Sequence, residues 1–201
     1  MKLRWSPTSP YTRKVLVTAI ETGQDKLIDR VLTLPASAPD LPKENPLGKI
    51  PTLILDDGSS LVDSPVIVEY LDSRHSGEKI VPPTGPARWK ALKLQALADG
   101  ILDAAVLRLY EIRRPDQFRF ADWIAKQKTV VARTLDLFEG EAKGFDQKMT
   151  VGQMAVAVAL DYLDFRFKDD DWRKGRPNLT AWHGKFGERP SLKATMPKEP
   201  S

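Results

Sequence analysis

The chain of 201 residues is 41% hydrophobic and 29% charged, with 31 Lys and Arg against 27 Asp and Glu and a net charge of +4. That is ordinary globular composition, enough for one or two compact units. No apolar run approaches the ~20 residues of a membrane span, and the basic residues are mixed with acids rather than gathered into a nucleic-acid-binding stripe.

Residues 2–5 alternate weakly and read as a strand. Residues 10–22 carry Val15, Leu16, Ala19 and Ile20 at helical spacing, with Gly23 as a C-terminal stop. "DRVLTL" (29–34) is rich in β-formers and a proline-rich loop runs from Pro35 to Pro46. "TLIL" and "SLV" then flank Asp57-Gly58, a hairpin signal. "SPVIVEYLDSR" reads as a helix with Ser64 as N-cap and Pro65 at the first helical position. "GEKIVPPTGPAR" (77–88) has the composition of a linker. Beyond it apolar residues recur at three- and four-residue spacing over Trp89–Tyr110 and Phe120–Phe138. "TVGQMAVAVALDYLDF" and "PNLTAWHGKF" follow as further helices, and no strand pattern appears after about residue 81. The expectation is a small α/β domain followed by an all-helical one.

There is no cysteine. Disulfides are excluded, as is any mechanism in which the protein supplies the thiol. Only His75 and His183 offer imidazoles, far apart in sequence, so no metal is expected. Glycine patterns of phosphate and dinucleotide loops are absent. The N-terminus lacks the apolar core of a signal peptide, so a soluble, cytoplasmic protein is expected, with no membrane and no nucleic-acid partner.

Four segments together resemble the glutathione transferase superfamily: "SPYTRK" (9–14), "NPLGKIPTL" (45–53), "LVDSPVIVEYL" (61–71) and "RPNLTAWHGKFGERPSLKAT" (176–195). The resemblance implies a thioredoxin-like N-terminal domain (βαβ-ββα) over residues 1–79, a linker over 80–85 and an all-α domain over 86–201. It implies glutathione as co-substrate, no metal and a homodimer. It also implies conjugation of the glutathione thiolate to small electrophiles in a detoxifying role, extending to glutathione-dependent peroxide reduction. A non-catalytic binding or regulatory protein of the same fold is the alternative. Chemistry that needs an enzyme cysteine is excluded, and the loop of the isomerising zeta class is absent.

The resemblance also assigns residues. A cis Ile50-Pro51 bond would leave the backbone of Ile50 to pair with the cysteinyl part of glutathione as an extra strand does. Asp63 would take the γ-glutamyl ammonium and Ser64 its carboxylate, at a helix N-terminus suited to an anion. Many relatives carry glutamate where this chain has the shorter Asp63. Lys49 would pair with the glycyl carboxylate.

Ser9-Pro10-Tyr11-Thr12 overlays the Cys-Pro-Tyr-Cys loop of glutaredoxins with hydroxyls in place of both sulfurs. A free thiol, pKa ~8.5, is only about 3% ionised at pH 7, and lowering it by two units requires about 2.7 kcal/mol. One hydrogen bond to the thiolate supplies about 1.5–3 kcal/mol and a helix N-terminus roughly 0.3–1 kcal/mol. Ser9 is therefore the candidate catalytic group, Ser6 its rival and a plain helix cap the third reading. Arg13, one turn on, would add positive field. Tyr11, Arg108, Tyr110 and Arg113 are placed by the same resemblance near an electrophile pocket. Thr150 and Gln153 form a capping box, and "DDDW" (169–172) reads as a solvated turn.

Overall fold

The computed structural model describes residues 1–199. It divides into two units, one comprising Met1–Pro83 with the segment from Pro190 onward, the other Thr84–Arg189. The all-α domain expected over 86–201 therefore ends at Arg189, and the segment from Pro190 belongs with the first unit.

The first unit is built on a four-stranded sheet in the order β2-β1-β3-β4, from Lys2–Trp5 (β1), Asp29–Leu32 (β2), Thr52–Ile54 (β3) and Ser60–Leu61 (β4). β1 and β2 are parallel, with Leu3 opposite Arg30, and need a crossover. Helix α1, Pro10–Glu21, supplies it. Gly23 stops α1 as expected: at φ 68° its N–H reaches Ile20 O at 3.1 Å while Gln24 N–H reaches Ala19 O at 2.7 Å. β3 runs antiparallel to β1 (Leu3 opposite Leu53), and β4 antiparallel to β3 (Leu53 opposite Leu61). Leu3 and Leu53 are fully buried at the sheet's centre.

The proline-rich loop holds a short helix, Leu41–Glu44 (α2). Arg4 on β1 fastens it, donating twice to the Glu44 carboxylate at 2.7 Å and once to Asp40. Helix α3, Ser64–Ser73, buries Ile67, Val68 and Leu71 and packs against α1. Part of the expected linker is ordered. The buried Asp72 carboxylate accepts from Ile80 N–H at 2.8 Å and Val81 N–H at 3.0 Å.

The second unit contains Gly85–Ile112 (α4), Ala121–Glu141 (α5), Val151–Arg166 (α6) and Pro177–Phe186 (α7). α6 is buried on every face from Val151 to Leu163, which a helix tolerates only at the centre of a bundle. It approaches α4 closely at Gly152, where a Cβ would lie 2.6 Å from Ala91 O. Half of the capping box forms: Gln153 N–H donates to Thr150 Oγ1 at 3.3 Å, but the Gln153 side chain, instead of taking the Thr150 backbone N–H, accepts from the Thr150 hydroxyl at 2.7 Å and donates to Asp146 Oδ1 at 2.7 Å. "DDDW" is more than a solvated turn. Asp170 accepts from Arg108 and from Lys128, the latter at 2.9 Å, and Trp172 is buried with its Nε1–H on Asp164 at 2.8 Å. His183 Nε2 meets Asp161 at 2.8 Å and ties α7 to α6. The chain's last described helix, Pro190–Ala194 (α8), lies in the first unit against α1.

Candidate functional site

Strand register brings the candidate residues of the first unit to one end of its sheet. β1 stops at Trp5, one residue past the Arg4–Thr52 pair at which β3 begins. The loop after β1 and the Ile50-Pro51 turn before β3 therefore share that end. β4 is antiparallel to β3 and finishes at Leu61, opposite Leu53, so the start of α3 joins them.

Ser9 is the N-cap of α1, with extended backbone and an Oγ that accepts from Thr12 N–H at 3.2 Å. Accepting leaves its own O–H as a donor. Ser6 differs. It is buried, its Oγ lies 2.9 Å from Thr8 Oγ1 and also accepts from Thr8 N–H at 3.3 Å. Either hydroxyl of the Ser6–Thr8 pair can be the donor, so Ser6 is held within the loop by Thr8 whereas Ser9 caps α1. Tyr11 is half-buried, with the Lys14 ammonium 5.8 Å from its ring centre.

The Ile50-Pro51 bond is cis, as the resemblance implied. Lys49 is exposed, and its carbonyl accepts from Asn45 Nδ2 at 2.9 Å and Thr52 Oγ1 at 3.0 Å. Those bonds fix the turn that presents Ile50, helped by Gly48 at φ 60°. Asn45, 1% exposed, and Thr52 were not among the sequence candidates. The Asn-Pro pair was the available signal, because asparagine before proline favours turn initiation.

At α3 the structure moves the cap by one residue. Asp63 is the N-cap, its Oδ1 accepting from Ser64 N–H, and Ser64 is the first helical residue. Ser64 is fully buried and its Oγ has no hydrogen-bond partner among the described residues. A buried hydroxyl without a partner costs about 1–3 kcal/mol, which an acceptor oxygen placed there would offset. The N-terminus of α3 adds the electrostatic preference for an anion.

The other pocket candidates lie in the helical unit. Arg108 is committed to Asp170 and stacks over Phe167, 4.3 Å from the ring centre, so it acts as a structural tie. Tyr110 is 63% exposed, and Arg113 is exposed with no carboxylate partner among the described residues. Buried Tyr162 is a neighbour the sequence reading passed over. Burial pushes its phenol up, against the pull of the Arg166 and Arg113 charges.

Residues 3–79 match the glutathione S-transferase N-terminal domain, and residues 121–185 match the C-terminal domain. The chain is 32% identical to the uncharacterized GST-like protein YibF of Escherichia coli K12, over 98% of each chain. A glutathione transferase family member of Pseudomonas fluorescens Pf-5, solved with bound glutathione, is 43% identical with a TM-score of 0.93, over 98% of this chain and 99% of that one. A P. fluorescens Pf-5 family member solved with bound S-(propanoic acid)-glutathione gives 41% identity and a TM-score of 0.91, over 99% and 100%. With its two-unit architecture and these likenesses along its whole length, the chain belongs to the glutathione S-transferase family.

Proposed function

We propose that the sheet unit binds glutathione and that Ser9 stabilises its thiolate for attack on small electrophiles. The observation that carries the reading is the buried, partnerless Ser64 hydroxyl at the start of α3. It stands at the same sheet end as the cis Ile50-Pro51 turn and the Ser9 cap. In this reading Ser64 donates to the γ-glutamyl carboxylate and Asp63 accepts from the ammonium. Ile50 pairs through its backbone with the cysteinyl residue, and Lys49 takes the glycyl carboxylate. The Ser9 O–H then donates to the sulfur.

The propanoic acid thioether bound by the P. fluorescens protein supports an α,β-unsaturated acid such as acrylate as one acceptor. There the thiolate would add to the β-carbon and solvent would protonate the α-carbon. Peroxide reduction by the same thiolate, a cytoplasmic detoxifying role and a homodimer complete the reading. For the homodimer, exposed Leu47 and Val66 offer apolar surface. No helix of the described residues is long and apolar enough to cross a membrane.

Steady-state conjugation of glutathione to acrylate and to an activated chloronitrobenzene tests this. Removing a charge-assisted hydrogen bond costs about 1.5–3 kcal/mol, so Ser9→Ala lowers kcat/KM roughly 10–100-fold, with little change in KM for glutathione. Glutathione binding without turnover above the solution rate would identify the non-catalytic alternative instead.

A further inference from the structure

We infer that the segment following α8, residues 195–198, is a positioning strap for Ser9, and that Arg13 is its anchor. The inference rests on the assignment of Ser9 above. Two attachments bracket that serine. Upstream, Lys198 N–H donates to Pro7 O at 3.4 Å, two residues before Ser9. Downstream, Arg13 N–H donates to Ser9 O at 3.1 Å, the first helical bond of α1. Arg13 is 3% exposed, and its side chain reaches the C-terminal segment. Its Nη2 donates to Leu192 O at 3.0 Å and contacts Met196 Sδ at 3.3 Å, and its Nε donates to Thr195 Oγ1 at 3.3 Å.

The fork geometry of a guanidinium allows this in a way an ammonium does not. Nε and Nη2 hold a fixed angle and grip neighbouring acceptors at once. Leu192 O belongs to the last turn of α8, where a cation is favoured. Thr195 Oγ1 is itself held, 2.8 Å from Ser191 O, and the Ser191 hydroxyl donates to Glu21 near the end of α1. α8 and the segment after it are thus together fastened to both ends of α1 and to the loop before it. Arg13 therefore acts on the thiolate through Ser9, by fixing where the helix start lies, rather than as a free positive charge.

The consequence is specific because a hydrogen bond weakens steeply with angle. Loosening the strap should leave glutathione bound by α3 and the Ile50 turn but misdirect the Ser9 O–H. The test compares wild type, Ser9→Ala, Arg13→Met, Arg13→Lys, Lys198→Pro and Lys198→Ala. For each, the pKa of bound glutathione is read from thiolate absorbance against pH, alongside glutathione Kd and Tm. Lys198→Pro removes the backbone donor and Lys198→Ala, which removes the side chain alone, is its control, so this pair decides the matter should Arg13→Met fail to fold. The expected result is a Kd within about threefold of wild type and a thiol pKa raised by at least about half a unit, roughly a threefold loss in the thiolate-to-thiol ratio, in Arg13→Met and Lys198→Pro. Arg13→Lys, keeping one donor, falls between. A thiol pKa unchanged in both strap variants while Ser9→Ala raises it overturns the inference and leaves Ser9 standing. A pKa unchanged in Ser9→Ala as well removes the assignment of Ser9 and the strap with it.

Discussion

Helices α3 and α7 are each ten residues long and each carry proline in their first turn, yet they close their N-termini differently. At α7 the protein supplies the anion. Glu139, reaching from α5, accepts from Asn178 N–H at 3.1 Å, Leu179 N–H at 2.8 Å and the Asn178 side-chain amide. Burial alone would push that carboxyl up, but the amide donors outweigh it and hold it below its usual value. At α3 one Asp63 oxygen takes one N–H, and the Ser64 hydroxyl is left buried without a partner. The same physics, N–H groups and dipole favouring negative charge, is satisfied internally where a helix serves packing. At α3 the described residues leave it partly open, and the proposed binding of a ligand carboxylate would complete it.

Removing the α3 groups is the largest way to break this contrast. Asp63→Ala with Ser64→Ala should weaken glutathione binding by at least 100-fold, since two polar contacts to charged ends are worth about 1.5–3 kcal/mol each. Isothermal titration calorimetry reads it, and an unchanged Kd would remove α3 from the site. On the helical side, Gly152→Ala should destabilise by about 1–3 kcal/mol, because overpacking against Ala91 backbone outweighs the usual alanine gain in a helix. Chemical denaturation measures it.

Glu139→Ala should cost about 1–2 kcal/mol, as loss of a cap does, and leave glutathione Kd at 25 °C unaltered. A changed Kd would mean that the two helix starts are not separable in role. The smallest effect concerns Asp170. Burial pushes its carboxyl up, but hydrogen bonds from Arg108 and Lys128 prevail and hold it low. With the folded value below the unfolded ~3.9, the contribution is present above about pH 4 and is lost as pH falls through the folded value. Asp170→Asn should flatten that part of the acid-side stability profile.

What the sequence made legible was local. Ser9 before Pro10 and Asp57-Gly58 between two strands each act through neighbours a few residues away and formed as expected, while of the Thr150–Gln153 pair the cap formed and the reciprocal bond did not. The cap of α3 was misplaced by one residue because Asp63 and Ser64 are both good caps. The bonds from the start of α7 to Glu139, from Arg108 and Lys128 to Asp170, and from Arg13 to the C-terminal segment join groups separated by tens of residues or more, and no spacing rule foretells such pairs. The return of that segment to the sheet unit was hidden for the same reason, because "RPSLKAT" reads as the tail of a helical run. Ser64 could be named a ligand group from the resemblance, but only the fold shows its hydroxyl buried and partnerless.

The account stands on an ionising environment lent to a thiol that the protein does not own. The most direct measurement is the pKa of bound glutathione in wild type and Ser9→Ala, from thiolate absorbance across neutral pH. The account predicts a wild-type value roughly two units below the free ~8.5 and a Ser9→Ala value returned most of the way toward it. A wild-type thiol that titrates near ~8.5 while glutathione is bound would contradict it.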